Sequence, residues 1–227
     1  VGIFFLIMST IFGSHSHAAE QKGKCNLKEE RAFGKFPATV VKLADGDTID
    51  VKTTDNKIRR IRLLHIDTPE TKFQGKSQGK AGELAAQRLS ELLPLRSEVT
   101  IHFEEKPCDL YGRYLGIVMK EDSNVNLTLV NEGYAVSLCF APNLAGCEKF
   151  IQAAKEALEN PNVFATHSAL IPHEFRFAES NRPEAPFVAD YLTKKVYPFE
   201  KWKSIEPLNR VFFSREQDIQ RPYRLAD

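Results

Sequence analysis

An Asp-Gly pair set between two β-rich arms restricts this chain more than any other local feature. In "ATVVKLADGDTIDVKT", Ala38 to Thr53, the arms are rich in Val, Ile and Thr, and Asp45-Gly46 between them is a strong short-range signal for a tight hairpin. "KIRRIRLLHI", Lys57 to Ile66, supplies a third arm, and "EVTIHF" and "RYLGIVM" read as two more strands. Between the third arm and the fourth, Leu84, Ala85, Leu89, Leu92 and Leu93 recur at helical spacing until Pro94, which predicts an amphipathic helix over Gln78 to Leu93. "NLTLVNEG" reads as a short helix stopped by Gly133, "YAVSLCF" as a last strand, and Cys147 to Leu158 as a closing helix. This order is α+β and fits a small closed barrel carrying helices.

With 227 residues and 42% hydrophobic content, the chain can bury a full core as one main domain with room for a small accessory piece. A formal net charge of +1 provides no global basic signature, so nucleic-acid binding has to rest on local clusters of Lys and Arg. The opening "VGIFFLIMSTIFGSHSHAAE" has an apolar run the length of a signal-peptide core, short of the roughly 20 residues a spanning helix needs. Residues 1–18 are expected to be a signal peptide cleaved before Ala19, although the basic leader is missing and the chain begins with Val; a core strand or a retained anchor are the alternatives. Four cysteines without a CxxC motif suit an oxidising compartment, and Cys139 and Cys147, flanking a Pro-containing loop, are the expected pair. Connectivity is not readable from spacing, and four buried thiols are the other possibility. Secretion or a periplasmic location follows as the expectation.

Several fragments are ordinary one by one. Asp47 in "DGDT" could be a turn residue, and Asp67 and Glu70 in "IDTPE" an N-cap and a solvated acid. Arg62 lies in a strand of apolar neighbours, where an unpaired guanidinium is costly, so an anion should meet it. Arg113 follows a Tyr-Gly turn and alone could be a surface arginine. Together, "ADGDTI", "IRLLHIDTPET" and "DLYGRYLGIV" resemble the thermonuclease, or staphylococcal nuclease-like, family from about Phe36 to the helix ending near Glu159.

The resemblance implies a five-stranded OB-type barrel with three helices and a Ca²⁺-dependent phosphodiesterase that cleaves DNA and RNA to leave 3′-phosphates. By residue match it implies Asp47, Asp67 and the main-chain carbonyl of Thr68 as metal ligands, with Asp45 behind them, and Arg62, Glu70 and Arg113 as catalytic residues. The chemistry suits those types. A phosphodiester gains negative charge in its transition state, which fixed guanidinium forks and a hard cation on oxygen ligands can stabilise, with Glu70 as candidate base for the attacking water. Tyr111 is implied as a substrate contact. Lys52, Lys57, Arg59 and Arg60, with Lys72, Lys76 and Lys80, could form a basic rim for the polynucleotide or simply a solvated face. His65 reads as packing or surface.

The chain departs from the family at Leu110, where a basic residue is common, and at Leu138 and Phe140, where tyrosines stand in the best-known members. Residues 36–160 are thus expected to be the nuclease domain. The Pro-rich "IPHEFRFAESNRPEAP" reads as part of a linker over 161–186. Residues 187–227 resemble a small module found after some bacterial nucleases and related to the metal-binding fragment of DNA-alkylation repair regulators. Its cysteines are absent here, so a metal-free appendage anchored by Trp202, Phe212 and Phe213, or a tail packed on the barrel, is expected. A monomer acting on DNA and RNA is the favoured reading. Its rivals are an inactive OB module that binds nucleic acid or protein, and a structural envelope protein.

Overall fold

The computed structural model describes residues 22–23, 25, 34–159 and 171–226, so the expected signal peptide lies outside the described residues. The barrel is built from β1 (Lys35–Asp45), β2 (Thr48–Thr53), β3 (Ile58–Leu63), β4 (Glu98–His102) and β5 (Tyr114–Lys120). The order β3-β2-β1-β4-β5 closes on itself because β3 also pairs with β5, in parallel, with Ile61 opposite Tyr114 and Leu63 opposite Gly116. The other barrel pairings are antiparallel. Register shifts between Val40 and Lys42, and between Leu43 and Asp45, bend the long first strand so that one chain segment serves two sides of the barrel. At the hairpin tip the Asp45 carboxylate accepts the Gly46 N–H at 2.8 Å, the local bond that favours Asp before Gly in such turns. This is a closed five-stranded mixed barrel of the OB type.

Alternation along the strands puts Val40, Ile49, Val51, Ile61, Leu63, Ile101 and Val118 inside, all buried. Three helices close the barrel: α1 (Lys80–Leu92), α2 (Val125–Asn131) and α3 (Cys147–Leu158), contributing Leu89, Leu129 and Phe150 to the same core. The expected helices are therefore found within two residues of their sequence limits.

Beyond the barrel the reading needs changes. "YAVSLCF" is not one strand: Val136–Ser137 pairs with Ile66–Asp67, whereas β6 (Cys139–Phe140) pairs with a later strand. The switch falls at Leu138, whose N–H donates to the His65 carbonyl at 2.9 Å while its side chain leaves the barrel for a second apolar cluster. Within the stretch read as a linker, α4 (Pro172–Ser180) is helical. Its prolines mislead in sequence, since Pro172 begins the helix, where a missing N–H costs nothing, and Asn181 in the left-handed conformation ends it.

The C-terminal residues add β7 (Phe187–Asp190), β8 (Lys195–Pro198), β9 (Arg210–Phe213) and β10 (Arg224–Leu225), giving a sheet of order β6-β9-β7-β8-β10. Phe212 and Phe213 point to opposite faces and anchor separate clusters, one with Leu138, Val188 and Phe199, the other with Cys139, Val211 and Tyr223. Trp202 is partly buried and stacks on Phe199. Because β6 comes from the barrel's own connection, the small sheet is joined to the barrel by main-chain pairing. The cysteines form Cys25–Cys108 and Cys139–Cys147, the latter as expected.

Candidate active site

The rim residues are held by a turn that is pinned from two directions. His65 adopts φ 64°, an uncommon conformation for a non-glycine residue, and so reverses the chain sharply between β3 and Ile66. Asn126 on α2, fully buried, donates to the Leu64 carbonyl at 2.9 Å and the Gly116 carbonyl at 3.1 Å and accepts the Val118 N–H at 3.0 Å. From the other side His65 Nε2 meets Glu104 Oε1 at 2.5 Å. His65 is thus a packing residue, as expected, and its partner fixes the strand end that carries Asp67.

Asp67 is completely buried, and Asp47 faces it from the start of β2. The two carboxylates converge on one nitrogen: Arg62 Nη2 lies 3.1 Å from Asp47 Oδ2 and 3.2 Å from Asp67 Oδ1. Arg62 Nη1 is spent on the carbonyls of Leu63 at 2.7 Å and Ile66 at 2.9 Å, which orients the guanidinium. Asp47 also accepts the Thr68 N–H at 3.3 Å and the Thr48 hydroxyl at 3.0 Å. Asp45 accepts the Thr71 hydroxyl at 2.8 Å, tying the hairpin to the segment after Asp67. Burial, with repulsion from Asp47, raises its carboxyl above the usual range.

Glu70 is placed by close backbone approach. Its N–H donates to Gln78 Oε1 at 3.0 Å and its carbonyl accepts the Gln78 N–H at 2.9 Å, while α1 crosses at Gly82, where a Cβ would stand 2.6 Å from that carbonyl oxygen. Burial pushes Glu70 up to about 7 against the pull of Arg176, with Asp67 and Asp47 adding repulsion. Arg176, from α4, was not singled out in the sequence. Its Nη1 lies 2.9 Å from Asp67 Oδ1 and 2.7 Å from Glu70 Oε1, and its Nη2 lies 3.0 Å from Asp67 Oδ2. The available signal was a Pro-initiated helix with His173, Arg176 and Phe177 at i, i+3 and i+4, and the surrounding prolines concealed it.

Asp45, Asp47, Arg62, Asp67, Thr68 and Glu70 are thus gathered at one rim, and Arg113 is not in contact with them. It sits on the turn before β5, with Nε 2.6 Å from Asp109 Oδ2 and its guanidinium over the exposed Tyr111 ring. Leu110 is 88% exposed, whereas Leu138 is packed under the C-terminal sheet and does not line an open pocket. The basic rim is mostly paired. Arg60 binds Asp50 at 2.7 Å, Arg59 and Lys57 share Asp55, and Lys76 binds Glu179 at 2.5 Å.

The donor set suits a hard cation. Among the described residues no group of three or more His, Cys, Asp and Glu side chains is gathered for a metal, so a cation between Asp47 and Asp67 would need main-chain carbonyl and water oxygens to complete its shell, as Ca²⁺ accepts. The two carboxylates face one point, which the Arg62 nitrogen takes here, and their oxygens are donors of the type a hard cation binds.

A small closed barrel whose rim gathers carboxylates and guanidiniums is an OB-type protein with its ionisable side chains concentrated at one site. A family model described as staphylococcal nuclease homologue matches residues 60–162. The chain is 31% identical over 160 residues to the micrococcal nuclease of Shigella flexneri, covering 66% of this chain and 86% of that protein. It is 31% identical over 202 residues to endonuclease YhcR of Bacillus subtilis, covering 83% of this chain but 16% of that protein. An uncharacterized endonuclease of Haemophilus influenzae is 36% identical over 101 residues, 44% of this chain and 52% of that protein. The chain belongs to the staphylococcal nuclease family.

Proposed function

We propose that this chain is a Ca²⁺-dependent phosphodiesterase that hydrolyses DNA and RNA and leaves 3′-phosphate ends. The observation that carries the reading is the convergence of Asp47 and Asp67 on a single Arg62 nitrogen beside Glu70. The relatives named as nucleases support the reaction class. Asp47, Asp67 and the Thr68 carbonyl would hold the ion, which when bound supplies positive charge for the phosphoryl oxygens. Among the described residues the Arg62 Nη groups take all its partners, which leaves Nε–H as the donor for a phosphate oxygen. Glu70, with its carboxyl pushed up to about 7 by burial, is suited to taking a proton from water near neutral pH. Arg113 would reach the phosphate only after exchanging Asp109 for it, and the exposed Tyr111 turn leaves room for that movement.

We further propose that the chain works as a monomer and that it is exported, the export being supported by two disulfides of the kind that persist in oxidising compartments. The test is digestion of plasmid DNA and of RNA by the full chain with Ca²⁺, with a chelator, and by Asp67→Asn, followed by analysis of the product ends. Ca²⁺-dependent cutting that the chelator and the substitution abolish is expected. Undiminished cutting in chelator would sink the metal assignment, and 5′-phosphate ends would sink the proposed direction of cleavage.

A further inference from the structure

Arg176 lies beyond the residues matched by the family model, yet it touches the site carboxylates more closely than Arg62 does. Three of its nitrogens are committed. Nη1 bridges Asp67 Oδ1 and Glu70 Oε1, Nη2 takes Asp67 Oδ2, and Nε takes Glu184 Oε1 at 2.8 Å from behind. The helix that carries it is itself fixed. Phe177 packs edge-on against Phe199 and Trp202, with ring centres 5.3 and 5.4 Å away. His173, buried, lies 3.1 Å from Arg210 Nη1 through its Nε2. A guanidinium only donates, so that Nε2 accepts and the ring proton resides on Nδ1. Among the described residues Nδ1 has no hydrogen-bond partner, and it faces Asp67 Oδ2 from 3.8 Å.

We propose that Arg176 is a positioning residue that sets Asp67 and Glu70 at one fixed separation, an inference that rests on the reading of this rim as a metal-dependent nuclease site. A planar fork fixes the spacing and tilt of the two carboxylates, which a point charge cannot do. Glu184 stops the fork from rotating. Among the described residues Asp67 Oδ1 accepts from Arg62 and Arg176 and Oδ2 from Arg176, with the His173 ring facing Oδ2 from 3.8 Å, so the guanidinium partners fix the orientation of this carboxylate. The alternative, that Arg176 shuts the site by occupying Asp67, predicts effects of opposite sign.

Arg176→Lys separates the two because it keeps the charge and loses the fork. Ca²⁺ alone is titrated calorimetrically into the full-length wild type and variant, with circular dichroism as the check on folding, and kcat and KM are measured on duplex DNA. The variant should bind Ca²⁺ about 10-fold more weakly or worse and lose about 10–100-fold in kcat, with KM moved less than about threefold. Glu184→Gln, which leaves both site carboxylates in place, should change both quantities in the same direction by less. Unchanged affinity and kcat in folded variants would overturn the proposal, as would a rise in KM alone. Tighter Ca²⁺ binding with a raised kcat would overturn it too, in favour of a closed site. If Arg176→Lys does not fold, Glu184→Gln decides on the same criteria. A wild type that binds Ca²⁺, with binding weakened in the variants, but cuts neither DNA nor RNA would sink the nuclease reading and leave the positioning role standing.

Discussion

Glu104 takes no part in the proposed chemistry, but it holds the turn on which Asp67 depends. Burial would raise its carboxyl, yet the His65 hydrogen bond and the N–H groups of Ala145 and Gly146 outweigh it and hold the group below the usual range. A carboxyl depressed by folding contributes stability above its unfolded value and loses it as pH falls through the folded one. Glu104→Gln should therefore cost about 1–3 kcal/mol at pH 7. The gap between its urea midpoint and that of the wild type should close as the pH is lowered through the carboxylate range. A gap that stays constant would show that the charge is immaterial. Asn126 is a second such residue. Asn126→Ala takes the side-chain partner from the Leu64 carbonyl and the Val118 N–H and leaves the Gly116 carbonyl with the Leu64 N–H, and a loss of about 2–4 kcal/mol is expected in denaturant titrations. Neither dependence was legible in the sequence. A His and an Asn at unremarkable spacings become structural only when strands distant in sequence bring Glu104 and Leu64 to them.

Among the elements, α1 shows how a helix can place a catalytic candidate through an absent side chain. Alanine is the better helix former by about 1 kcal/mol, so propensity alone would favour Gly82→Ala. The new Cβ would instead meet the Glu70 carbonyl at 2.6 Å, and a backbone atom cannot step aside cheaply. The substitution is expected to destabilise by about 1–3 kcal/mol and to lower kcat through Glu70. A stabilised, fully active variant would show that α1 can move away freely. The barrel strands and α1 to α3 were legible because local turn chemistry and apolar periodicity agree there. So was the grouping of Asp47, Arg62, Asp67 and Glu70, carried by resemblance on contiguous motifs. Helix α4 was not, since Pro172 marks a helix start and a linker equally well in sequence, and only the packing of Phe177 against Phe199 and Trp202 decides between them. The burial of Leu138 was not legible for a related reason. A residue on a rim strand faces solvent only if nothing later in the chain covers it, and the C-terminal sheet does.

For the whole molecule, the sharing of β6 between the barrel connection and the C-terminal sheet, together with the Arg176 contacts, implies a single cooperative unit. The one tryptophan, Trp202, reports on the C-terminal part, whereas far-UV circular dichroism is dominated by the barrel and its helices. Midpoints in urea from the two signals should coincide for the full chain, and well-separated midpoints would mean that the two parts unfold independently. The Cys25–Cys108 bond has a different consequence. Asp45, Asp47, Arg62, Asp67 and Glu70 all fall between its two cysteines, as does the exposed tip at Gln74, Gly75, Lys76 and Ser77. A protease that clips this tip would leave Asp47 and Glu70 on one piece of chain and Arg176 on the other without releasing either, because the covalent tie and the β-sheet hold both pieces in place. The molecule is thus built to outlast its own first cut, and only under reduction would such damage be seen as two fragments.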